Sequence, residues 1–254
     1  LSLKKMFISL FIAFLGLASL NSAHLHKSAH VDNAFVYYVD QNRGWEDECG
    51  GDIIHPCKYL DYAITGVHSR QPFIIYVYYG QYDHALKSYL EFDDIPYPTA
   101  DVIAKQEAQI NVRGPIHPIG KIIISFSNFS IDFGDLYFLI DDSESVLKFA
   151  SCNVFRNGGN TALNTQSLAV VNHGSLILED FNINGSNLIG NQPLIQSTSP
   201  KLIQLTTFTV TNVALVSGNT LPLLLSVTEL EQETNIIISD VHVKQNTAGD
   251  EAEA

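Results

Sequence analysis

The stretch LILEDFNI, residues 176–183, places apolar side chains at its first, third, sixth and eighth positions. This spacing predicts two short strands joined by a two-residue corner that keeps the same side chains facing inward. The spacing recurs in copies that begin at Ile124, Leu147, Ile203 and Ile236. Strands of this kind cannot bury a face alone, so repeated copies stack into a continuous core. The sequence therefore predicts a solenoid.

The third apolar position of each copy distinguishes two kinds of solenoid. A leucine-rich repeat places asparagine or cysteine there. This chain has Phe129, Cys152, Phe181, Phe208 and Val241 at that position. The aromatic side chains belong in a stacked apolar interior, and the variable coil length suits loops that leave the core at corners. We therefore predict an all-β fold, a right-handed parallel β-helix, with a leucine-rich horseshoe and a β-sandwich as alternatives.

The chain divides into four predicted segments. Residues 1–23 read as a secretory signal peptide, because two lysines precede a short apolar run, and a retained signal anchor is the alternative. The other segments are a flexible tail at 24–34, the β-helix at 35–246 and an acidic tail at 247–254. Within the β-helix we predict an N-terminal cap at 35–70, a loop excursion at 84–106 and repeat coils at 119–246.

The charge balance bears on possible partners. The chain has 14 basic and 27 acidic residues, a formal charge of −13, and no cluster of lysines and arginines. Such a chain repels polyanions, so nucleic acid is not an expected partner. We expect contact with a membrane only through a retained signal segment or through a C-terminal part beyond residue 254.

Three cysteines occur in the chain. We predict a disulfide between Cys49 and Cys57, whose short loop is worth roughly 2–3 kcal/mol in an oxidising compartment. Metal binding by this pair with His55 is the alternative, but the sequence lacks the two closely spaced pairs of ligands that a zinc site usually has. Cys152 is predicted to be a free, buried thiol. No metal or cofactor is predicted.

Residues 58–67 place Leu60, Ala63, Ile64 and Val67 on one face of a predicted short helix. We expect this helix to cap the open N-terminal end of the solenoid. Acidic residues crowd the preceding loop; they are Asp40, Glu46, Asp47, Glu48 and Asp52. A solvated acidic turn is the favoured interpretation, and a calcium site is the alternative.

Four segments of the N-terminal region resemble a known family. They are VYYVD at 36–40, ECGG at 48–51, HPCKYLDYAI at 55–64 and YVYYGQYD at 76–83. Together they are similar to the N-terminal part of secreted and surface proteins, many from protists, built on a pectin-lyase-like right-handed β-helix. The resemblance implies this fold and a location outside the cell or on the extracellular face of its surface. It implies much less about activity.

Polysaccharide cleavage is the activity of enzymes that share such a fold. The residues that could serve it are the doublets Asp93-Asp94 and Asp141-Asp142, with His173 and Arg156. They lack the arrangement of such a hydrolase site, and acidic doublets in loops are usually solvated turns. The outward repeat positions that we compared are Ser125, Lys148, Ile177, Gln204, Ile237, Ser130, Asn153, Asn182, Thr209 and His242. Because no carboxylate occurs among them, we predict no catalytic residues.

The outward positions instead suggest a binding surface. Ser, Thr, Asn and Gln side chains there would hold a carbohydrate or a surface protein partner. The expected function is a non-catalytic secreted or cell-surface module for scaffolding, adhesion or carbohydrate or partner binding, with a polysaccharide-cleaving enzyme as the alternative. Two sequons, beginning at Asn128 and Asn184, fall outside the predicted core and are predicted N-glycosylation sites.

Overall fold

A computed structural model of the protein describes residues 34–46, 49, 51–65, 72–84, 90–91, 99–112, 116–133, 138–155, 167–215, 221–229 and 234–244. The predicted signal peptide, nearly all of the N-terminal tail and the acidic C-terminal tail lie outside these residues. The elements in chain order are β1 (Phe35–Val39), α1 (Leu60–Thr65), β2 (Phe73–Val77), β3 (Gly80–His84), β4 (Leu90–Glu91), β5 (Thr99–Val112), β6 (Pro118–Ile119), β7 (Ile123–Phe133), β8 (Phe138–Ile140), β9 (Val146–Phe155), β10 (Ala169–Val171), β11 (Ser175–Gly190), β12 (Ile195–Ser197), β13 (Leu202–Leu215), β14 (Leu225–Val227) and β15 (Asn235–Lys244).

The strands form a parallel β-solenoid of about 4 turns. A nine-stranded sheet has the order β1-β2-β5-β7-β9-β11-β13-β15, with β3 paired to β5. A four-stranded sheet has the order β14-β12-β10-β8, and β4 pairs with β6. The last four repeat coils each pass from a short strand of the four-stranded sheet into a long strand of the large sheet, whereas the first passes from β6 into β7. The predicted all-β parallel solenoid is therefore confirmed, and a horseshoe with one sheet does not describe it.

In the five repeat strands β7, β9, β11, β13 and β15, a left-handed residue lies at the bend where the sequence predicted a corner. The backbone φ angle is 66° at Asn128, 53° at Ser151, 47° at Asp180, 50° at Thr207 and 53° at Asp240. These are the second corner residues of the five copies. Because the bend uses two residues, the apolar side chains at the sixth and eighth positions of each copy face inward, as do those at the first and third. Each long strand thus contains both predicted half-strands.

The predicted interior column is present. Phe181 is paired with Cys152 on one side and with Phe208 on the other, and Phe208 is paired with Val241. Phe129 belongs to the same column, because the next residue, Ser130, is paired with Asn153. Every side chain of this column except Val241 is at most 1% exposed.

The last described coil departs from the prediction. Val241 is only partly buried, and Ile236, Ile238 and Val243, which the repeat places inward, are 40–50% exposed. The physical reason is that β15 ends the order of the large sheet, so no described coil covers its far side.

Part of the predicted loop excursion is also wrong. Residues 99–106 belong to strand β5, which pairs with β2, β3 and β7. The sequence signal was weak because small Ala100 and Ala104 occupy buried positions here, close after two prolines. The pairing of β5 with β7 shifts between Ile103 and Ala108, so residues 104–107 form a bulge.

The N-terminal region carries the disulfide and a short helix. Cys49 and Cys57 are bonded, with Cα atoms 4.7 Å apart, and Cys152 is a buried free thiol, so both cysteine predictions are confirmed. Helix α1 buries Leu60, Ala63 and Ile64 in the core. In the described part of the chain, no helix has the length and apolar character needed to cross a membrane.

Candidate functional site

The outer face of the second half-strands forms a ladder of polar side chains, one from each coil. Register pairing aligns Gln109, Ser130, Asn153, Asn182, Thr209 and His242. The Asn182 amide donates to Asn153 Oδ1 over 3.2 Å, which ties two rungs together. Parallel strands are about 4.8 Å apart, so the ladder presents an amide, hydroxyl or imidazole group at each such step.

The bulge of β5 forms a wall beside this ladder. Because Ile103 is paired with Ser127 and Ala108 with Phe129, residues 104–107 stand opposite the single residue Asn128. Lys105, Gln106 and Glu107 are exposed on this wall. The Lys105 ammonium lies 3.9 Å from the centroid of the Tyr76 ring, a cation–π contact that holds the lysine stem in place.

The corner between β2 and β3 supplies an aromatic ring. Tyr79 is 58% exposed there. The Gln41 side chain fixes the corner, because its Nε2 donates to the Gln81 carbonyl over 2.7 Å and its Oε1 accepts from the Gln81 amide over 2.9 Å. Gly80 leaves room for this contact, since a Cβ atom there would lie 2.9 Å from Gln41.

Tyr82 anchors the same corner from inside. Its hydroxyl donates to the Tyr78 carbonyl over 2.9 Å. Burial raises the pKa of Tyr82 to about 12, so the phenol keeps its proton and this bond even in moderately alkaline solution.

Ladder, bulge and corner enclose a cleft of about 640 Å³. Its lining residues are Tyr79, Gly80, Gln81, Ala104, Lys105, Gln106, Glu107, Ala108, Gln109, Asn128, Ser130 and Asn153. They combine one exposed aromatic ring with amides and a hydroxyl, and the two charged members have opposite signs. A smaller cleft of about 320 Å³ shares Tyr79 and Gln106 with it. The outward polar face predicted from the sequence is thus concave at this point.

The described acidic residues of the entry loop, Asp40, Glu46 and Asp52, each have a local partner. Asp40 is buried, where its Oδ2 accepts from Arg43 Nε over 2.8 Å and its Oδ1 accepts the amides of Asn42 and Arg43. Glu46 pairs with Lys58 over 2.7 Å, and this hydrogen bond lowers the pKa of Glu46. Asp47 and Glu48 lie outside the described residues.

Asp52, the last acid of this loop, closes a local turn. Its Oδ1 accepts the amides of Ile54 and His55, and these bonds, led by the one from His55, lower the pKa of Asp52. Among the residues that the structure describes, no group of three or more His, Cys, Asp or Glu side chains is placed to hold a metal ion.

The doublet Asp141-Asp142 is the one candidate catalytic pair that falls within the described residues, and it makes local contacts. Asp93, Asp94 and Arg156 fall outside the described residues. Asp142 Oδ1 accepts the Glu144 amide over 2.8 Å in a turn. Asp141 accepts from the Asn172 amide over 2.6 Å, and both follow short strands of the four-stranded sheet.

Sequence reasoning missed one charged pair on the outer face. Lys148 Nζ lies 2.8 Å from Glu179 Oε2, and both side chains are partly buried. Gln204 Nε2 donates to Glu179 Oε1 over 3.3 Å. Glu179 occupies the first corner position of its repeat and not one of the two outward strand positions named above. That position also faces outward, so the alternation of the repeat would have revealed this carboxylate.

Both predicted glycosylation sites are exposed. Asn128 stands at the left-handed corner and lines the cleft. The Asn184 Oδ1 accepts from the Asn212 amide over 3.1 Å on the outer face. Neither asparagine is buried, so the predicted register holds at both coils; attachment of a glycan stays a prediction.

The fold defines the class of the protein as a parallel β-solenoid with one disulfide, and that bond suggests an oxidising, extracellular environment. No protein-family model, curated protein or solved structure matches the chain.

Proposed function

We propose that the protein is a non-catalytic secreted or cell-surface β-helix module that binds carbohydrate in the cleft of Tyr79, Gln109 and Asn153. The observation that carries the proposal is the exposed Tyr79 ring beside a floor of amide and hydroxyl groups. A sugar presents an apolar ring face and a rim of hydroxyls, which suit an aromatic platform and amide partners respectively. Binding sites for such ligands are concave and contain a few well-placed polar groups.

Secretion is part of the same proposal. The disulfide between Cys49 and Cys57 is typical of an oxidising compartment. The apolar segment at residues 1–23 and the two exposed sequons support passage through a secretory pathway, with glycans attached on the way.

We further propose that the solenoid is right-handed and pectin-lyase-like, with helix α1 as its N-terminal cap. The resemblance of residues 36–83 to secreted β-helix proteins supports this. The burial of the helix's own side chains Leu60, Ala63 and Ile64 supports the capping role, because an open solenoid end would expose apolar side chains and unpaired backbone.

A binding screen tests the function. The secreted protein is run in gels that contain different soluble polysaccharides, and retardation by at least one of them is expected. Tyr79→Ala and Gln109→Ala should each weaken binding roughly tenfold, because each removes one anchor of the sugar. Gln196→Ala is the matched control, since Gln196 lies on β12 in the other sheet. Retardation by no polysaccharide would refute the proposal.

A polysaccharide-cleaving enzyme is the second candidate. The partly buried pair of Lys148 and Glu179 on the outer face favours it, because a carboxylate and a lysine are groups that can act in acid–base chemistry. Incubation with pectins, alginates and other uronans, scored for unsaturated products and new reducing ends, separates the candidates. Cleavage activity that disappears in Glu179→Gln would show that the protein is an enzyme. If no product forms, the non-catalytic binding module stays the preferred function.

A further inference from the structure

We infer that the cleft takes an uncharged polysaccharide chain that lies parallel to the solenoid axis; the inference rests on the proposed carbohydrate-binding function. Two independent properties of the site lead to it: the charges on its lining and the direction of its polar floor.

The charges exclude a good fit for an acidic polysaccharide. The charged lining residues are Lys105 and Glu107, which carry opposite signs. The Lys105 ammonium is already engaged 3.9 Å above the Tyr76 ring. The chain as a whole carries a formal charge of −13. A polyanion approaching the cleft would therefore meet net repulsion from the chain, and the cleft lining offers it a single cation.

Neutral sugars meet no such penalty. Their hydroxyl groups both donate and accept hydrogen bonds, as do the side-chain amides of Gln81, Gln109 and Asn153. Amide groups stay uncharged across the whole pH range in which the protein is folded, so the site's affinity for a neutral glycan should depend little on pH or salt.

The direction follows from the register of the strands. Gln109, Ser130 and Asn153 come from three successive coils, and the same column continues to Asn182. These rungs repeat along the axis at about 4.8 Å. The hydrogen bond between Asn182 and Asn153 extends the floor past the cleft itself. A linear polymer that follows the axis meets a polar group at every coil.

The wall supports the same direction. The polar floor of the cleft is formed by Gln109, Ser130 and Asn153. Residues 104–107 lie beside this floor, next to the repeat corner at Asn128, because the register places them opposite that residue. A polysaccharide that crossed the sheet at right angles to the solenoid axis would contact one polar side chain of the ladder and then collide with this bulge. A chain that runs along the axis passes beside the bulge and beside Tyr79.

Affinity electrophoresis and calorimetry with the full secreted protein test the charge inference. The probes are soluble xyloglucan, galactomannan and mixed-linkage β-glucan as neutral polymers, with polygalacturonate and alginate as acidic ones. We expect binding to at least one neutral polymer, unchanged within about twofold between low and physiological salt. Binding to acidic polymers alone would overturn this inference and leave the proposed function intact. Binding to none would overturn both.

Chain length tests the direction. For the neutral polymer that binds, the hexasaccharide should bind more tightly than the disaccharide. Asn182→Ala should weaken hexasaccharide binding roughly fivefold to tenfold and disaccharide binding clearly less, since Asn182 lies beyond the cleft and acts on it only through its hydrogen bond to Asn153. Gln196→Ala again serves as the control, and circular dichroism checks the fold of each variant. Equal loss for both oligosaccharides, or no loss for either, would overturn the axial arrangement.

Discussion

The ring of Phe181 stacks on the ring of Phe208 in the next coil, with centroids 5.9 Å apart and planes 3° from parallel. On its other side Phe181 is paired with Cys152, and the Phe149 ring lies edge-on to it at 5.7 Å. Phe181 thus contacts the rings of both neighbouring coils, and stability should depend on it.

The first prediction tests this column. Phe181→Asp removes the stacked ring and buries an unpaired charge, so it should destabilise the protein by at least about 4 kcal/mol and abolish secretion. Asn182→Asp is one residue along and faces outward, so its effect should stay within about 0.5 kcal/mol. Secreted yield and urea unfolding measure both. Equal effects would mean that the register at this coil is wrong.

The repeat could be predicted because its signal is local. Apolar spacing within eight residues placed Phe129, Phe181 and Phe208 in one column, and the structure confirms this. The exposure of Ile238 could not be predicted, because the equivalent positions of the covered coils hold apolar residues of the same kind. Only the order of the strands shows that β15 lies at the edge of the sheet.

The cleft could not be predicted for a different reason. Its wall is a bulge at residues 104–107, and a bulge is a mismatch between two strands that neither strand encodes alone. Its corner depends on the contact of Gln41 with Gln81, which are 40 residues apart in the chain. Sequence reasoning identified the polar character of the outer face, and the long-range pairing determines where that face becomes concave.

The second prediction concerns Cys152. Burial raises the pKa of its thiol from 9.0 to about 11, so the native thiol should resist alkylation at pH 8. Because the unfolded chain releases this proton more easily, the thiol's contribution to stability is complete below pH 9 and is lost between about pH 9 and pH 11. Mass spectrometry after alkylation, with and without urea, should show labelling only after unfolding. Rapid labelling of the folded protein would contradict the burial.

The third prediction concerns the glycans. Asn128 lines the cleft, whereas Asn184 does not, so a glycan on Asn128 should hinder binding in the cleft. Protein made in a eukaryotic secretory host should carry both glycans by peptide mass analysis. Asn128→Gln should then raise the affinity for the bound polysaccharide severalfold, and Asn184→Gln should leave it unchanged. The same affinity for both variants and the parent protein would show that the Asn128 glycan points away from the cleft.

The fourth prediction tests a crowded turn at Gly174. Its φ is +72°, and a Cβ atom there would lie 2.7 Å from the Ser145 carbonyl and close to that of Asp142. Gly174→Ala should therefore cost at least about 2 kcal/mol through backbone strain and overpacking. Gly51→Ala is the matched control, because a Cβ atom at Gly51 meets open space. A neutral Gly174→Ala in urea unfolding would contradict the described turn.

The last prediction compares two equivalent positions in neighbouring coils. Leu205 is paired with Ile238 in the register of β13 and β15, yet Leu205 is fully buried and Ile238 is 50% exposed. Leu205→Ala should therefore destabilise the 254-residue chain by about 2–5 kcal/mol, because it leaves a cavity between two coils. Ile238→Ala removes a half-exposed side chain and should cost less than about 1.5 kcal/mol. Urea unfolding at two protein concentrations measures both values.

Equal losses of stability in the two variants would mean that Ile238 is covered in solution. A loss at Ile238 that grows with protein concentration would identify a second copy of the chain as the cover, because only an intermolecular contact follows mass action.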